Sequence, residues 1–497
     1  MLLTLTITSL FLTLFVYFAL KPNSRKSKYP PSPPKLPFIG NLHQLGSIPH
    51  RSLGALSKKH GPLMLLHIGN SPALVVSSKE SAEEIMKTQD LIFADRPPSL
   101  VFDAIGYRGK DVALARYGEH WRQVKKITVQ HLLNIKLVES FRVVREDEVA
   151  SLVEKISRAS GPVNLSELVI STTSNIISTI ALGRKYYDEK QSEGNGFNEF
   201  LEEFFLLLGA FHIGDYIPSL GWIGCLTGLD ARLKKHSQQW NNFLDQVIAE
   251  HIGTGKDVDN GRKDFVDMLL EVEEGGSVGV PFNKDHIKAV LLDTFAAGTD
   301  STYTAINWTL AELVRNPREM KKVQEEIRRT VRGNSRVTED DLRQMSYLKC
   351  VIKESFRMHP PFPLLLPRNC MQNAEVMGYQ VPANSRVVVN AWAIGRDPEA
   401  WDNPEEFRPE RFINSGVDFR GHDFGLIPFG SGRRACPGIS FAVAKMELVL
   451  ASVLHGFDWE VPGGASPEAL DMTEVQGATT RKKIPLILVA RPYIYSP

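Results

Sequence analysis

The chain has 497 residues, enough for a large buried core, and 58 Lys and Arg against 57 Asp and Glu leave a formal net charge of +1. That balance argues against a dedicated nucleic-acid binder, which carries a basic excess, and 43% hydrophobic with 23% charged residues is a globular composition, not a disordered one. Four cysteines, Cys225, Cys350, Cys370 and Cys436, are too few for a disulfide scaffold, and with no CxxC pair among them they argue against a structural zinc site; they suit a reducing compartment.

The first predicted element is Leu2 to Leu20, an uncharged run that would form a helix about 28 Å long, close to the thickness of a bilayer's hydrocarbon core. No Lys or Arg precedes it, no A-x-A site follows, and Lys21, Arg25, Lys26 and Lys28 come directly after. The pattern reads as a single N-terminal transmembrane anchor over residues 1–20 in preference to a cleaved signal, with the N-terminus in the lumen and the remainder in the cytosol. Pro30, Pro31, Pro33, Pro34 and Pro37 preclude helix and make residues 21–40 a basic, stiff hinge. Residues 41–497 read as one domain, mainly α with small β-sheets. A hairpin is predicted from Leu63–Ile68 and Ala73–Ser77, turning at Gly69-Asn70-Ser71. Helical periodicity covers Leu137–Ile156, Ser166–Leu182, Gln238–Ile252, Lys284–Arg315 and Ile439 to about His455. Polar, Gly-rich breaks fall at Glu189–Gly196, Gly253–Lys263 and Glu273–Val280, and a strand at Pro485–Ala490.

Three constellations carry chemistry. In Phe429-Gly430-Ser431-Gly432-Arg433-Arg434-Ala435-Cys436-Pro437-Gly438, glycines flank one cysteine and an apolar helix follows. Glycines let backbone N–H groups approach the sulfur, and a helix start adds positive dipole character; both favour thiolate. The alternative is a Gly-rich turn with an incidental cysteine. In Phe295-Ala296-Ala297-Gly298-Thr299-Asp300-Ser301-Thr302 an acid and hydroxyls interrupt an apolar helical run. A mid-helix glycine and back-bonding hydroxyls predict a bent helix with a groove, through which an acid beside an alcohol can pass protons; the alternative is a kinked core helix with a solvated Asp. In Glu354-Ser355-Phe356-Arg357 a carboxylate and a guanidinium share a helix face, by itself an ordinary surface pair.

The cysteine segment resembles, position by position, the F-x-x-G-x-R-x-C-x-G signature of the cytochrome P-450 superfamily of haem-thiolate monooxygenases. The resemblance implies the cytochrome P-450 fold, with residues 41–497 as the haem-binding catalytic domain. Cys436 becomes the axial thiolate of haem b iron, a ligand that favours O–O cleavage, with Phe429 beside the sulfur and Arg434 on a haem propionate. By the same resemblance Ala297 faces the haem, Gly298 opens the oxygen groove, Asp300 feeds protons, and Ser301 stands where the family has threonine, with Thr302 next to it. Glu354, Arg357 and Arg411 of Pro409-Glu410-Arg411-Phe412 become a structural Glu–Arg–Arg triad. Trp121 and Lys125 match W-x-x-x-R on a propionate, Lys125 having lost the guanidinium fork, and Arg368 is another propionate partner.

The resemblance also implies NADPH electrons delivered by a flavoprotein reductase, O2 as co-substrate, and an endoplasmic reticulum membrane location with the catalytic domain in the cytosol. Lys126 and Arg433 would help form a basic docking surface for the reductase. Phe93-Ala94-Asp95-Arg96-Pro97, the Pro-rich hinge and Leu470-Asp471-Met472-Thr473-Glu474 resemble the plant A-type branch, which implies a small hydrophobic specialised metabolite: an alkaloid, or alternatively a terpenoid or coumarin, to be hydroxylated, desaturated or oxidatively cyclised. Its pocket is expected from Phe102, Ile105, Phe211, Phe295, Phe362, Leu364, Leu365 and Val475, with His212, Asp103, Asp215 and Gln476 as polar handles. Two rivals stand beside this reading, a haem-thiolate hydroperoxide isomerase or dehydratase and a non-enzymatic haem sensor; the Asp300–Ser301 pair argues against both.

Overall fold

A computed structural model describes residues 28–186, 196–253, 263–276 and 281–494, apart from 333 and 335. The expected anchor at 1–20 and the start of the hinge lie outside these residues, as do 189–195, 254–262 and 277–280 of the three Gly-rich breaks.

Apolar periodicity organises the chain around the helix Lys284–Arg315. Asn283 caps it by accepting the Asp285 amide, His286 closes a capping box, and Asn316-Pro317 ends it because Pro317 opens the next helix, Pro317–Val331. Its side chains are buried almost all round, since Leu165–Leu182, Ser346–Met358 and Ile439–Gly456 pack against it. Leu165–Leu182 and Ile439–Gly456 are each long and apolar enough to cross a membrane, but most of each is buried inside the protein. Two buried hydroxyls lock the central packing: Ser166 Oγ donates to Asn307 Oδ1 at 2.7 Å and Thr309 Oγ1 to Ser355 Oγ at 2.7 Å.

The periodicity misplaces two helix boundaries. Leu137–Ile156 is broken into Ile135–Ser140 and Arg142–Ser157, because Phe141 leaves helical geometry and is buried edge-on against Phe265. Gln238–Ile252 is the latter part of a longer helix, Leu229–Gly253.

The predicted hairpin forms from Leu63–Ile68 and Ser71–Val76, with Leu63 opposite Val76. Gly69 turns it at φ 60°, where a side chain would strike Ile217 and the Tyr216 carbonyl. Ser71–Val76 then pairs in parallel with Arg386–Val389, which pairs antiparallel with Arg368–Asn369. The C-terminal strand runs from Ile487 to Pro492, two residues beyond its predicted span, between Phe457–Glu460 and Val163–Asn164. A short hairpin, Glu474–Gln476 with Thr480–Lys482, is clamped to the long helix: Thr479 Oγ1 lies 2.9 Å from Thr304 Oγ1 and Trp308 Nε1 donates to the Thr480 carbonyl at 2.9 Å.

Glu354 and Arg357 are fully buried on Ser346–Met358. Arg357 grips the Glu354 carboxylate at both oxygens (2.7 and 2.8 Å) and spends its remaining donors on the carbonyls of Gly395, Pro404 and Glu406. Arg411 Nε reaches Glu354 Oε1 at 2.9 Å, as does the Arg408 amide at 2.8 Å. One carboxylate thus neutralises two desolvated guanidiniums and ties the 395–411 segment to a helix. Glu354→Ala leaves two buried cations uncompensated and is expected to cost about 3–5 kcal/mol of stability; equilibrium unfolding of the holoprotein measures it, and a loss below ~1 kcal/mol, the range of an exposed pair, contradicts it.

Candidate functional site

Cys436 reaches its position through a loop that only glycine can trace at two points. Gly430 and Gly432 stand at φ 66° and 70°, and a Cβ on Gly432 would lie 2.2 Å from the Met86 carbonyl oxygen. The Cys436 amide donates to the Phe429 carbonyl at 2.9 Å, and the helix Ile439–Gly456 begins three residues on. Phe429 is held edge-on by Phe356 at 5.1 Å. Burial pushes the Cys436 thiol up, while the Gly438 amide and the Lys125 ammonium pull the other way.

The sulfur lies on the wall of a largely apolar cavity of about 270 Å³. Phe429, Pro437, Phe441 and Ala442 line it beside Cys436, and Ala297, Gly298, Ser301, Thr302 and Ala305 of the long helix line it too. The helix is continuous through Gly298, not interrupted as expected. Ser301 Oγ donates back to the Ala297 carbonyl at 2.7 Å, whereas Thr302 Oγ1 is buried without a hydrogen-bond partner among the described residues. The Asp300 carboxylate turns away from this wall. It accepts from Thr479 Oγ1 at 2.9 Å and pairs with Arg481 on the C-terminal hairpin, and burial holds it above the usual carboxylate range against both partners.

Four cations converge at the cavity's edge. Trp121 donates to the Val112 carbonyl at 3.0 Å and carries Arg434 over its ring at 4.2 Å and Lys125 at 5.1 Å. Arg434 donates to the Ala94 and Ala115 carbonyls, Lys125 to the Arg433 carbonyl, and Arg368 to the Ser431 carbonyl and Asp90. The fourth, Arg96, was not singled out from sequence as a site residue. It is buried, lines the cavity, and donates to the carbonyls of Ala113, Leu366 and Pro367. Its only sequence signal was its place in the Phe93–Pro97 stretch. Burial and the charges of Arg434 and Arg368 push Arg96 well below the guanidinium range; burial and Arg368 bring Arg434 down to about 10, and burial and Arg434 lower Lys125. Cations that depress one another in a dry site call for anions. The residues fit a flat apolar group bearing carboxylates at one edge and a thiolate-seeking metal at its centre.

Asp293, another lining residue, accepts the amides of Val112 (2.7 Å) and Ala113 (3.0 Å) and is pushed up to about 6 by burial. It fastens the loop around residue 112 to the long helix. Of the expected pocket residues, Phe362 and Leu365 lie on the wall. The others turn elsewhere. Phe102 and Ile105 join the main core, Phe295 packs against Trp240, and Leu364 packs under the first hairpin. Phe211 stacks on Tyr216 and is half exposed, as is Val475. Asp215 is spent accepting from the Ser99 hydroxyl and the Leu100 amide, and His212 pairs with Asp230.

The comparisons with known proteins agree with this geometry. The family model for Cytochrome P450 matches residues 30–488. Cytochrome P450 736A117 of Prunus mume is 52% identical over 497 residues, covering 99% of this chain and 96% of the relative. Norfluorocurarine oxidase of a Strychnos species is 48% identical over 494 residues, covering 96% of each, and phenylacetaldehyde oxime monooxygenase CYP71AN24 of Prunus mume is 48% identical over 495 residues, covering 97% and 94%. Among solved structures, a zebra fish cytochrome P450 with abiraterone superposes with a TM-score of 0.77 at 26% identity, covering 90% of this chain and all of that one. A cysteine loop and a hydroxyl-bearing helix on one apolar cavity, edged by cations, in a chain matched to this family over nearly its whole length, make the protein a member of the plant cytochrome P450 family and a haem-thiolate monooxygenase.

Proposed function

We propose that Cys436 would supply the thiolate that holds the iron of haem b and that the enzyme oxidises a small hydrophobic plant metabolite, an alkaloid in the first instance. The observation that carries this reading is the shared cavity: the Cys436 sulfur and the Ala297–Thr302 turn line one apolar space whose edge holds Arg96, Lys125, Arg368 and Arg434. When bound, the haem supplies oxygen activation with NADPH electrons relayed by a flavoprotein reductase. Arg96, Arg368, Arg434, Lys125 and Trp121 would hold its propionates, and the Gly438 amide and Lys125 charge would support the thiolate.

Phe362, Leu365, Leu366, Val112 and Ala113 exclude water from the substrate's side and offer few polar contacts, which suits an apolar ligand. The names of the Strychnos and Prunus relatives, an oxidase of norfluorocurarine and a monooxygenase of an oxime, support a nitrogen-containing substrate. Asp300 bridges two regions in this reading. Arg481, about one-fifth exposed, connects its carboxylate toward solvent, and release from Arg481 lets the acid serve the hydroxyls at the cavity wall. Ser301, whose hydroxyl donates to the Ala297 carbonyl, keeps an oxygen lone pair with which it would accept a hydrogen bond from the cavity side.

The enzyme sits, in this proposal, on the endoplasmic reticulum membrane with its catalytic domain in the cytosol. Beyond the anchor, exposed Phe38, Ile39, Trp222 and Leu226 support a bilayer-facing edge. The segments that carry them meet at the first hairpin, where Gly69 N donates to Ile39 O and Asn70 N to Tyr216 O.

Three measurements test these assignments. Cys436→Ala is expected to remove thiolate-type absorption of the reduced CO complex and NADPH-dependent turnover of a panel of alkaloids, terpenes and coumarins; an unchanged spectrum refutes the ligand. Asp300→Asn should retain haem but slow NADPH-driven oxygen consumption about 100-fold, and a wild-type rate removes the acid from the relay. Ser301→Ala should raise hydrogen peroxide release more than Thr302→Ala does; the reverse order assigns the oxygen-contacting hydroxyl to Thr302.

A further inference from the structure

Lys445 has no exposed surface. It stands on Ile439–Gly456, the helix that follows the Cys436 loop, and its Nζ donates to the Gly298 carbonyl at 2.5 Å. No carboxylate pairs with it among the described residues. The Phe441 ring, on the same helix, lies 5.1 Å from Nζ. The charged group whose field reaches it is Arg145, on Arg142–Ser157, itself committed to Glu339 at 2.5 Å. Burial, then Arg145, brings the Lys445 ammonium down to about 7. A buried ammonium without a counter-ion is costly, and a methionine or leucine would fill the same space without that cost.

What the lysine provides is a hold on one particular carbonyl. Gly298 lies one helical turn before Thr302 and next to Ala297, whose carbonyl takes the Ser301 hydroxyl. Two consecutive carbonyls at the cavity wall therefore each receive a side-chain donor. A Cβ on Gly298 would stand 2.5 Å from Ile177 Cδ1, so glycine there lets the helix Leu165–Leu182 pack close against this turn, while Lys445 Nζ would be cleared at 4.0 Å. An added donor on the Gly298 carbonyl competes with the helix's own N–H at Thr302 and sets how far that turn opens.

We infer that Lys445 is a positioning residue for oxygen activation: from outside the cavity it holds the Gly298 carbonyl and thereby fixes the turn that carries Ser301 and Thr302. This rests on the monooxygenase reading above, and the experiment separates the two. Reductase-supplemented membranes are given NADPH and O2 with no organic substrate. One NADPH is consumed per O2 when oxygen leaves as hydrogen peroxide, and two when it is reduced to two waters. The wild-type peroxide share is expected to rise modestly as pH goes up through about 7, where the charge-assisted bond of the ammonium gives way to the weaker bond of a neutral amine. Lys445→Met should keep the reduced-CO absorption yet raise the peroxide share about three- to tenfold, the effect of one hydrogen bond. Lys445→Gln, a donor without charge, should bring the share back toward wild type and flatten the pH response. A Met variant with the wild-type share and pH response overturns the role. Should Lys445→Met fail to bind haem, an unchanged pH response in Lys445→Gln overturns it instead. Failure of the wild type to consume O2 with NADPH refutes the monooxygenase reading itself.

Discussion

The convergence of four cations on one edge of an apolar cavity is the constraint around which this protein is arranged. Arg96, Lys125, Arg368 and Arg434 meet at this edge, and among the described residues Asp90 is the carboxylate bonded to any of them, through Arg368. They donate to main-chain carbonyls of segments far apart in sequence, so the same cations that would hold an anionic ligand also tie the walls of the cavity together. A bound group with carboxylates at this edge would pair with these cations and stabilise the surrounding fold, which links cofactor binding to folding.

On the far side of Cys436 the problem is solved internally. Glu354 faces Arg357 and Arg411 in a dry site, and the guanidiniums exhaust their other donors on the carbonyls of 395–406. The two networks differ in purpose. One is closed and rigid, fixing the chain leading into the cysteine loop; the other is open on one side, toward the cavity. Between them the loop has little freedom, since Gly432 passes directly beneath the Met86 carbonyl while Asp90 takes the Arg433 amide.

The long-helix wall of the cavity is fastened in its turn to several other segments. Asp293 clips the 112–113 backbone to the long helix, and Ser301 is oriented by its own helix. Asp300 is buried and held by Thr479, through side chain and backbone, and by the partly exposed Arg481, both on the C-terminal hairpin.

What the amino-acid order settled by itself was local. The glycine-flanked cysteine, the extent of Lys284–Arg315 and the hairpin at Leu63–Val76 follow from spacing, because turns, caps and periodic burial act over a few residues. The direction in which side chains point was decided by partners distant in sequence. Phe295 faces Trp240 and not the cavity; Asp300 faces Arg481; Arg96, read only as part of a stretch typical of one branch, became part of the cavity wall. Burial converts a common i, i+3 ion pair at Glu354–Arg357 into a desolvated network, and no spacing rule distinguishes the two cases. Helix and turn are written in short-range sterics, while a site is written in which charges and rings share the same dry space, and that is fixed only once the chain has packed.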